Sequence, residues 1–110
     1  MLSCPDKPNC VSSEPGEDAV HSVKPFDAAV WPGLPQAIEA AGGVVLSSDG
    51  HYLHARFTSG LFRFVDDVEA RLDETAGVLH IRSASRVGHS DFGVNRKRVE
   101  ALRNALPAAR

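Results

Sequence analysis

The segment richest in chemically active side chains is residues 82–98, Arg-Ser-Ala-Ser-Arg-Val-Gly-His-Ser-Asp-Phe-Gly-Val-Asn-Arg-Lys-Arg. Its cations, hydroxyls and amides are groups that bind anions. It runs from the end of a predicted strand into the start of a predicted helix, a junction at which backbone N–H groups converge on an anion. We therefore predict an anion site formed by Arg82, Ser85, Arg86, Asn95 and Arg96.

A preceding strand brings carboxylates to the same region. The alternation of apolar residues places Asp66 on the inward side of a sheet, opposite Ser85, whereas Glu69 lies on the outward side, facing Arg82. An inward carboxylate is costly unless it is paired or hydrogen-bonded, so we expect hydroxyls or an arginine to satisfy Asp66. The alternative is a bulge at Asp66-Asp67 that turns both carboxylates to solvent.

The cations Arg96, Lys97 and Arg98 at the start of the last helix oppose the helix dipole, which favours acids at that end. A cap from Asp91, pairing with the strand carboxylates or a bound anion would compensate them. The full set of predicted ligand-binding residues is Asp66, Asp67, Glu69, Arg82, Ser83, Ser85, Arg86, Asp91, Asn95 and Arg96.

Other chemistries have weaker sequence support. A hydrolase-like enzyme would use Asp66 as acid or base and the arginines to hold an anionic substrate. No Gly-x-Ser-x-Gly elbow and no phosphate-binding P-loop motif occurs. The spacing of Cys4, Cys10 and His21 matches no common zinc motif, so we predict neither a metal nor a cofactor. A purely structural role for the polar motif is a third alternative.

Three hairpins must position these residues. Val44–Ser48 and His51–Thr58 flank Asp49-Gly50, which favours a two-residue turn with residue 46 opposite residue 53. Later turns set residue 57 opposite 62 and residue 72 opposite 79. The result is a four-stranded antiparallel meander. Its predicted inward residues are Leu46, Leu53, Ala55, Phe57, Phe62, Phe64, Val68, Ala70, Leu72, Leu79, Ile81 and Ser83.

Two helices complete the predicted fold. One runs from Trp31 to Ala41, and the other from about Val94 to Leu106, with a buried stripe that includes Val99 and Leu102. Both should cover the apolar face of the sheet, which gives an α+β class. Residues 1–25 carry four prolines and are predicted to form an extended N-terminal arm, and residues 26–110 to form one domain.

Charge and length exclude several classes of protein. The net charge is −2, and residues 82–110 hold seven basic and two acidic groups, 7 − 2 = +5. This is too little for a typical nucleic-acid binder, and no apolar run is long enough for a membrane span. No basic and apolar leader precedes Cys4, so the chain is expected to be cytoplasmic as written, with an exported or periplasmic protein as the alternative.

Three motifs resemble a known family. Cys-Pro-x-x-Pro-Asn-Cys-Val-Ser-Ser at residues 4–13, Phe-Val-Asp-Asp-Val-Glu at residues 64–69, and the segment at residues 82–98 are similar to the domain-of-unknown-function family fourteen-ninety-nine. The resemblance covers nearly the whole chain, but the family has no established activity. Its motif residues in this chain are Cys4, Asn9, Cys10, Ser12, Ser13, Asp66, Asp67, Glu69, Arg82, Ser83, Ser85, Arg86, Gly88, Asp91, Gly93, Asn95 and Arg96.

The resemblance implies a bacterial or plastid protein, and many members carry an export signal or lipid anchor before the cysteine motif. The motif residues coincide with the site predicted from the strand register. We therefore predict a non-catalytic binding module for a small anionic ligand or a protein partner. Residues 8–13 are expected to fold over this site. A disulfide between Cys4 and Cys10, which the loop length permits, would brace them, whereas in the cytosol the two cysteines would stay thiols.

Overall fold

The structure is a computed structural model that describes residues 1–58, 64–88 and 93–106. The described residues form an α+β domain with an antiparallel sheet and two α-helices. The elements in chain order are β1 (Cys10–Ser12), β2 (Phe26–Asp27), a 3-10 helix (Ala28–Gly33), α1 (Leu34–Ala40), β3 (Val44–Ser48), β4 (Tyr52–Thr58), β5 (Val65–Asp73), β6 (Val78–Ser85) and α2 (Val94–Ala105).

The predicted meander is present as β3-β4-β5-β6, but the predicted count of four strands is wrong. The sheet order is β1-β6-β5-β4-β3, and β2 also pairs with β6, so the described sheet has six strands. The two additional strands are only three and two residues long and lie among prolines. Segments this short carry no alternating pattern, and long-range pairing with β6 defines them as strands.

The hairpin of β5 and β6 has the predicted register. Leu72 pairs with Leu79, and Asp66 pairs with Ser85, with no irregularity between them. Asp66 is therefore on the inward side, and the bulge that would have turned it to solvent is absent from this ladder. Glu69 pairs with Arg82 on the opposite side, as the alternation predicts.

The hairpin of β3 and β4 differs from its prediction. Ser48 pairs with Leu53, because the Asp49 carboxylate accepts the backbone N–H groups of residues 51 and 52 and widens the turn. The register then shifts between Val45 and Ser47. Leu46 lies at this irregularity and is 45% exposed, so the prediction that it faces Leu53 in the core is wrong.

The second predicted turn also differs. Phe57 pairs with Asp66 and is buried, whereas the sequence predicted residue 62 as its partner. Phe64 precedes β5 and is 55% exposed, so its predicted place in the core is wrong. Phe62 lies outside the described residues. Because the shift in register is an even number of residues, the inward side of β5 is still the predicted one.

The helices cover one side of the sheet, which we call the inner face. Leu34 and Ile38 of α1 and Val99 and Leu102 of α2 are fully buried against it. The predicted first helix begins instead as the 3-10 helix, with Pro32 inside it, before α1. We call the opposite side the outer face, and neither of the two described α-helices packs on it. The core residues are Val11, Val23, Phe26, Leu34, Ile38, Leu53, Ala55, Phe57, Val68, Ala70, Leu79, Ile81, Val99, Leu102 and Leu106.

The N-terminal segment is built into this fold. Residues 10–12 pair with β6, and residue 12 also bridges in parallel to residue 22. Val11 and Val23 belong to the core. A disulfide joins Cys4 to Cys10 and closes what we call the disulfide loop, residues 4–10. The segment predicted as an arm therefore extends the sheet and contributes buried residues.

Candidate functional site

The sequence predicted one polar site, and the structure divides its residues between the two faces of the sheet. Neighbouring residues of a strand point to opposite faces. Asp66 consequently lies on the inner face and Asp67 on the outer face, with Ser83 and Arg82 divided in the same way. The two groups form separate networks of contacts.

The inner network is centred on Asn95, which is fully buried in the first turn of α2. Its carboxamide oxygen accepts a hydrogen bond from Ser83 Oγ at 2.6 Å, and its Nδ2 donates to Ser85 Oγ at 3.0 Å. Nδ2 also donates to the backbone oxygen of Asn9 at 3.2 Å. A single buried amide thus ties the helix to β6 and to the N-terminal segment.

Asp66 joins this network through an arginine that the sequence analysis did not select. Arg98 Nη1 donates to Asp66 Oδ2 at 2.7 Å and to Asn95 Oδ1 at 3.1 Å. The two charged side chains are only 15% and 10% exposed, and the guanidinium also stacks over the Phe57 ring. Arg98 follows Asn95 by three residues, so both face the same side of α2, and this spacing was the available signal.

The disulfide loop also contacts this end of the sheet. Asn9 is buried, its Nδ2 donates to the Gly88 carbonyl at 2.7 Å, and its own carbonyl accepts the Ser85 N–H at 3.0 Å. Residues 8–13 were expected to lie over the predicted site. Asn9 lies against its inner half, which holds Asn95, rather than over Arg82.

The outer network is arranged in rows across the strands. One row contains Ser12, Arg82, Glu69 and His54, and the next contains Asp67 between Arg56 and Ala84. These are polar and charged positions on a face that neither of the described α-helices covers. Most of them are nevertheless only partly exposed, because the side chains pack on one another.

Asp67 is the best-satisfied group of the outer network. Arg86 Nε and Nη2 donate to its two oxygens at 2.8 and 2.9 Å, and His54 Nε2 lies 2.7 Å from Oδ1. The hydrogen bonds from Arg86, with a further contribution from His54, lower the pKa of Asp67. His54 lies on the outer face, and 29% of its side chain is exposed.

Arg82 is the least-satisfied group. Its side chain is 11% exposed, and Nη1 lies 4.0 Å from Glu69 Oε1, too far for a hydrogen bond. Its Nε atom is buried and has no hydrogen-bond partner among the described residues. Tyr52 lies nearby on β4, and burial, with the negative charge of Glu69, raises the pKa of its hydroxyl.

Arg96 belongs to neither network. Its guanidinium donates to the backbone oxygens of Ser22 at 2.9 Å and Val20 at 2.7 Å, so it fastens the N-terminal segment to α2. Arg103, seven residues or about two turns further on, does the same at the backbone oxygens of Lys24 and Pro25. Of the cations at the start of α2, Arg96 is therefore compensated by carbonyl oxygens and Arg98 by the Asp66 carboxylate.

Asp91, the remaining predicted site residue, lies outside the described residues. Gly93 occupies the N-cap position of α2 with a φ of 80°, a left-handed conformation that glycine adopts without strain. Among the described residues, no group of three or more His, Cys, Asp or Glu side chains is placed to hold a metal ion. No described helix is both long and apolar enough to cross a membrane.

The fold and the two networks define a small α+β domain with a meander sheet and a polar outer face. The chain belongs to the family described as a protein of unknown function (DUF1499), whose family model matches residues 1–106. This is the family that the three sequence motifs indicate. A comparison with curated proteins and a comparison with solved structures each gave no match.

Proposed function

We propose that this domain is a non-catalytic binding module that recognises a small anionic ligand on the outer face of its sheet, through Arg82. The observation that carries the proposal is the buried Nε–H of Arg82, which has no partner among the described residues. An unsatisfied buried donor costs about 1–3 kcal/mol, and in native proteins such a group usually has a water, ion or ligand as its partner.

The chemistry of the guanidinium supports an oxyanion. Arginine presents N–H groups in a planar fork that matches the two oxygens of a carboxylate or phosphate. The nearby Asp67 carboxylate is already neutralised by Arg86. Its charge therefore opposes an incoming anion less than a free carboxylate would.

The remaining arginines of the predicted anion site already bind other groups of the protein. Arg86 holds Asp67, and Arg96 holds two backbone oxygens. Arg98, which was not predicted, holds Asp66. An anion at any of these would have to displace an existing contact. We favour a small anion over a protein partner because the unpartnered donor is a single buried atom, which a flat protein surface would not reach.

The experiment is an NMR titration of the oxidised protein with inorganic phosphate, and separately with acetate, at constant ionic strength. We expect amide shifts centred on Arg82 and Glu69, saturating in the millimolar range or below. Arg82→Gln should abolish them. The matched control is Arg56→Gln, an exposed arginine on the same face. Shifts that survive Arg82→Gln, or that disappear equally in Arg56→Gln, would contradict the proposal.

The hydrolase alternative and the structural alternative differ in the support that the contacts give them. The hydrolase alternative gains no support from the position of Asp66, which is 7% exposed on the inner face and bound to Arg98. The structural alternative is supported for the inner half of the motif, in which Asn95, Ser83 and Asp66 bond to one another or to Arg98. We propose that the motif combines this structural half with a binding half on the outer face.

The disulfide favours an oxidising compartment, because cytosolic thiols are normally kept reduced. The bond between Cys4 and Cys10 braces the loop that holds Asn9 against β6. We therefore favour the exported or periplasmic placement over the cytoplasmic one. Purification of the native protein under thiol-trapping conditions tests this. A mass two daltons below that of the dithiol form is the expected result, and two trapped thiols would contradict it.

A further inference from the structure

A buried histidine in the N-terminal segment contacts two hydrogen-bond acceptors. The side chain of His21 is 7% exposed. Its Nδ1 lies 2.8 Å from Asp18 Oδ1, and its Nε2 lies 2.8 Å from the backbone oxygen of Lys7. A carboxylate and a carbonyl both require a donor, so each ring nitrogen must carry a proton for both contacts to be hydrogen bonds.

A neutral imidazole has one N–H, and an imidazolium has two. The neutral ring would leave one nitrogen lone pair facing an oxygen lone pair. The carboxylate cannot easily turn away, because the same Oδ1 of Asp18 also accepts the backbone N–H groups of Val20 and His21. Only the protonated ring satisfies this arrangement.

We propose that His21 is a proton-controlled clasp, whose imidazolium holds the disulfide loop against the turn at residues 17–21. Lys7 lies within the disulfide loop, and Asp18 lies in the turn, so the two hydrogen bonds of one ring join the two segments. A second tie runs from the Cys4 N–H to a Glu17 carboxylate oxygen at 2.9 Å. This inference does not depend on the proposed anion site.

The charges around the ring favour protonation. Asp18 contacts the ring, Glu17 lies close enough to act on it, and Asp6 lines the same cleft, so three acids surround it. The hydrogen bond to the Lys7 carbonyl, assisted by Asp18, raises the pKa of His21 above its ordinary value.

Two cations near His21, Lys7 and Arg96, would oppose protonation of its ring if they contacted it. The Lys7 ammonium is on an exposed side chain. Arg96, from α2, contacts the backbone oxygens of Val20 and Ser22 rather than the ring. Because the pKa of His21 is raised in the closed state, the clasp is closed at pH values below that pKa and opens as the pH rises through it.

Opening the clasp would affect more than the segment itself. Asn9 lies in the same disulfide loop and holds the Gly88 carbonyl, two residues beyond Arg86. The carbonyl of Asn9 also accepts from Asn95. The protonation state of His21 is thus connected, through the loop, to the end of β6.

The test is a pH series of hydrogen exchange, corrected for the intrinsic exchange rate, together with ¹⁵N shifts of the His21 ring. The reporters are the Cys4 amide and the Asn9 side-chain amide, which mark docking of the loop. We expect both ring nitrogens to be protonated in the closed state. Between the ordinary pKa of His21 in the open loop and its raised pKa in the closed one, loop opening should increase about tenfold per pH unit, as release of one proton requires, and it should level off above the raised pKa.

Asp18→Asn is the decisive variant, because the carboxamide oxygen can still accept from the backbone N–H groups and from Nδ1–H but no longer carries the negative charge that favours the imidazolium. The rise of loop opening with pH should therefore be smaller than in wild type and should level off at a lower pH, which truncation of His21 could not show if the segment unfolded. His51→Ala, at an exposed histidine paired with Glu74, is the control and should behave as wild type. Docking independent of pH in the wild type, or a rise of opening with pH that is as large in Asp18→Asn as in wild type, would overturn the proposal.

Discussion

Two aspartates that are adjacent in sequence should differ sharply in what they contribute to stability. Asp66 and Arg98 form a pair whose side chains are 10% and 15% exposed. Asp67 and Arg86 form a pair with better geometry but with 22% and 48% exposure. Burial rather than distance determines the cost of removing one partner.

The magnitudes follow from these environments. Asp66→Ala leaves a buried guanidinium without its counter-ion, and breaking a buried pair costs about 3–5 kcal/mol. Because both side chains retain some exposure, we expect about 3 kcal/mol. Asp67→Ala leaves Arg86 in contact with water, and such partly exposed pairs are worth about 1 kcal/mol or less. The difference of about 2 kcal/mol is roughly thirtyfold in the unfolding equilibrium.

The assay is urea unfolding of the oxidised protein at pH 7, followed by the fluorescence of Trp31, which packs against the core. A double-mutant cycle with Arg98→Met isolates the Asp66–Arg98 coupling. We expect the double variant to recover part of the stability that Asp66→Ala loses. Equal costs for the two aspartates, or additive costs in the cycle, would refute the division into a buried and an exposed network.

Three further predictions concern the N-terminal loop, the outer face and the core. Replacing Cys4 and Cys10 together by serine should lower the free energy of unfolding by about 2 kcal/mol, the entropy of closing a seven-residue loop, as measured against urea without reductant. Arg86 holds the pKa of Asp67 below its usual value, so this pair should contribute stability at neutral pH. That contribution should be lost as the pH falls below about 4, and Arg86→Gln should flatten the acid side of the stability profile. Gly43→Ala should cost about 1–3 kcal/mol, because an added Cβ would lie 2.7 Å from two core side chains; Gly50→Ala, in open space, is the matched control for thermal unfolding.

The sequence was sufficient to predict the faces of the two strands that carry the motif. The alternation of apolar residues determines which face of the sheet each side chain occupies, and a register shift of an even number of residues leaves that face unchanged. Asp66 was therefore correctly placed on the inner face, although the residue paired with Phe57 was predicted wrongly. The position of Leu46 was not predictable in the same way. An Asp49 side chain that captures two N–H groups changes the turn length, and the irregularity that follows leaves no signal in the apolar pattern.

The structure divides the predicted site residues between the two faces of the sheet. Because Asp66 and Asp67 are neighbours in one strand, their side chains must point to opposite faces of the sheet. The division of the motif between two faces could therefore be predicted from the strand pattern. The partner of Asp66 was missed because the spacing of Arg98, three residues after Asn95 and so on the same side of α2, was not used.

The most direct test of the account compares phosphate binding in one variant of each network. Asp66→Asn perturbs the inner face and Arg82→Gln the outer face, and both are measured at 20 °C under conditions in which each protein is folded. The account predicts that Asp66→Asn loses stability but keeps a Kd within about twofold of wild type. It predicts that Arg82→Gln keeps its stability and loses at least tenfold in affinity, about 1.4 kcal/mol. Loss of binding in Asp66→Asn with retention in Arg82→Gln would contradict it.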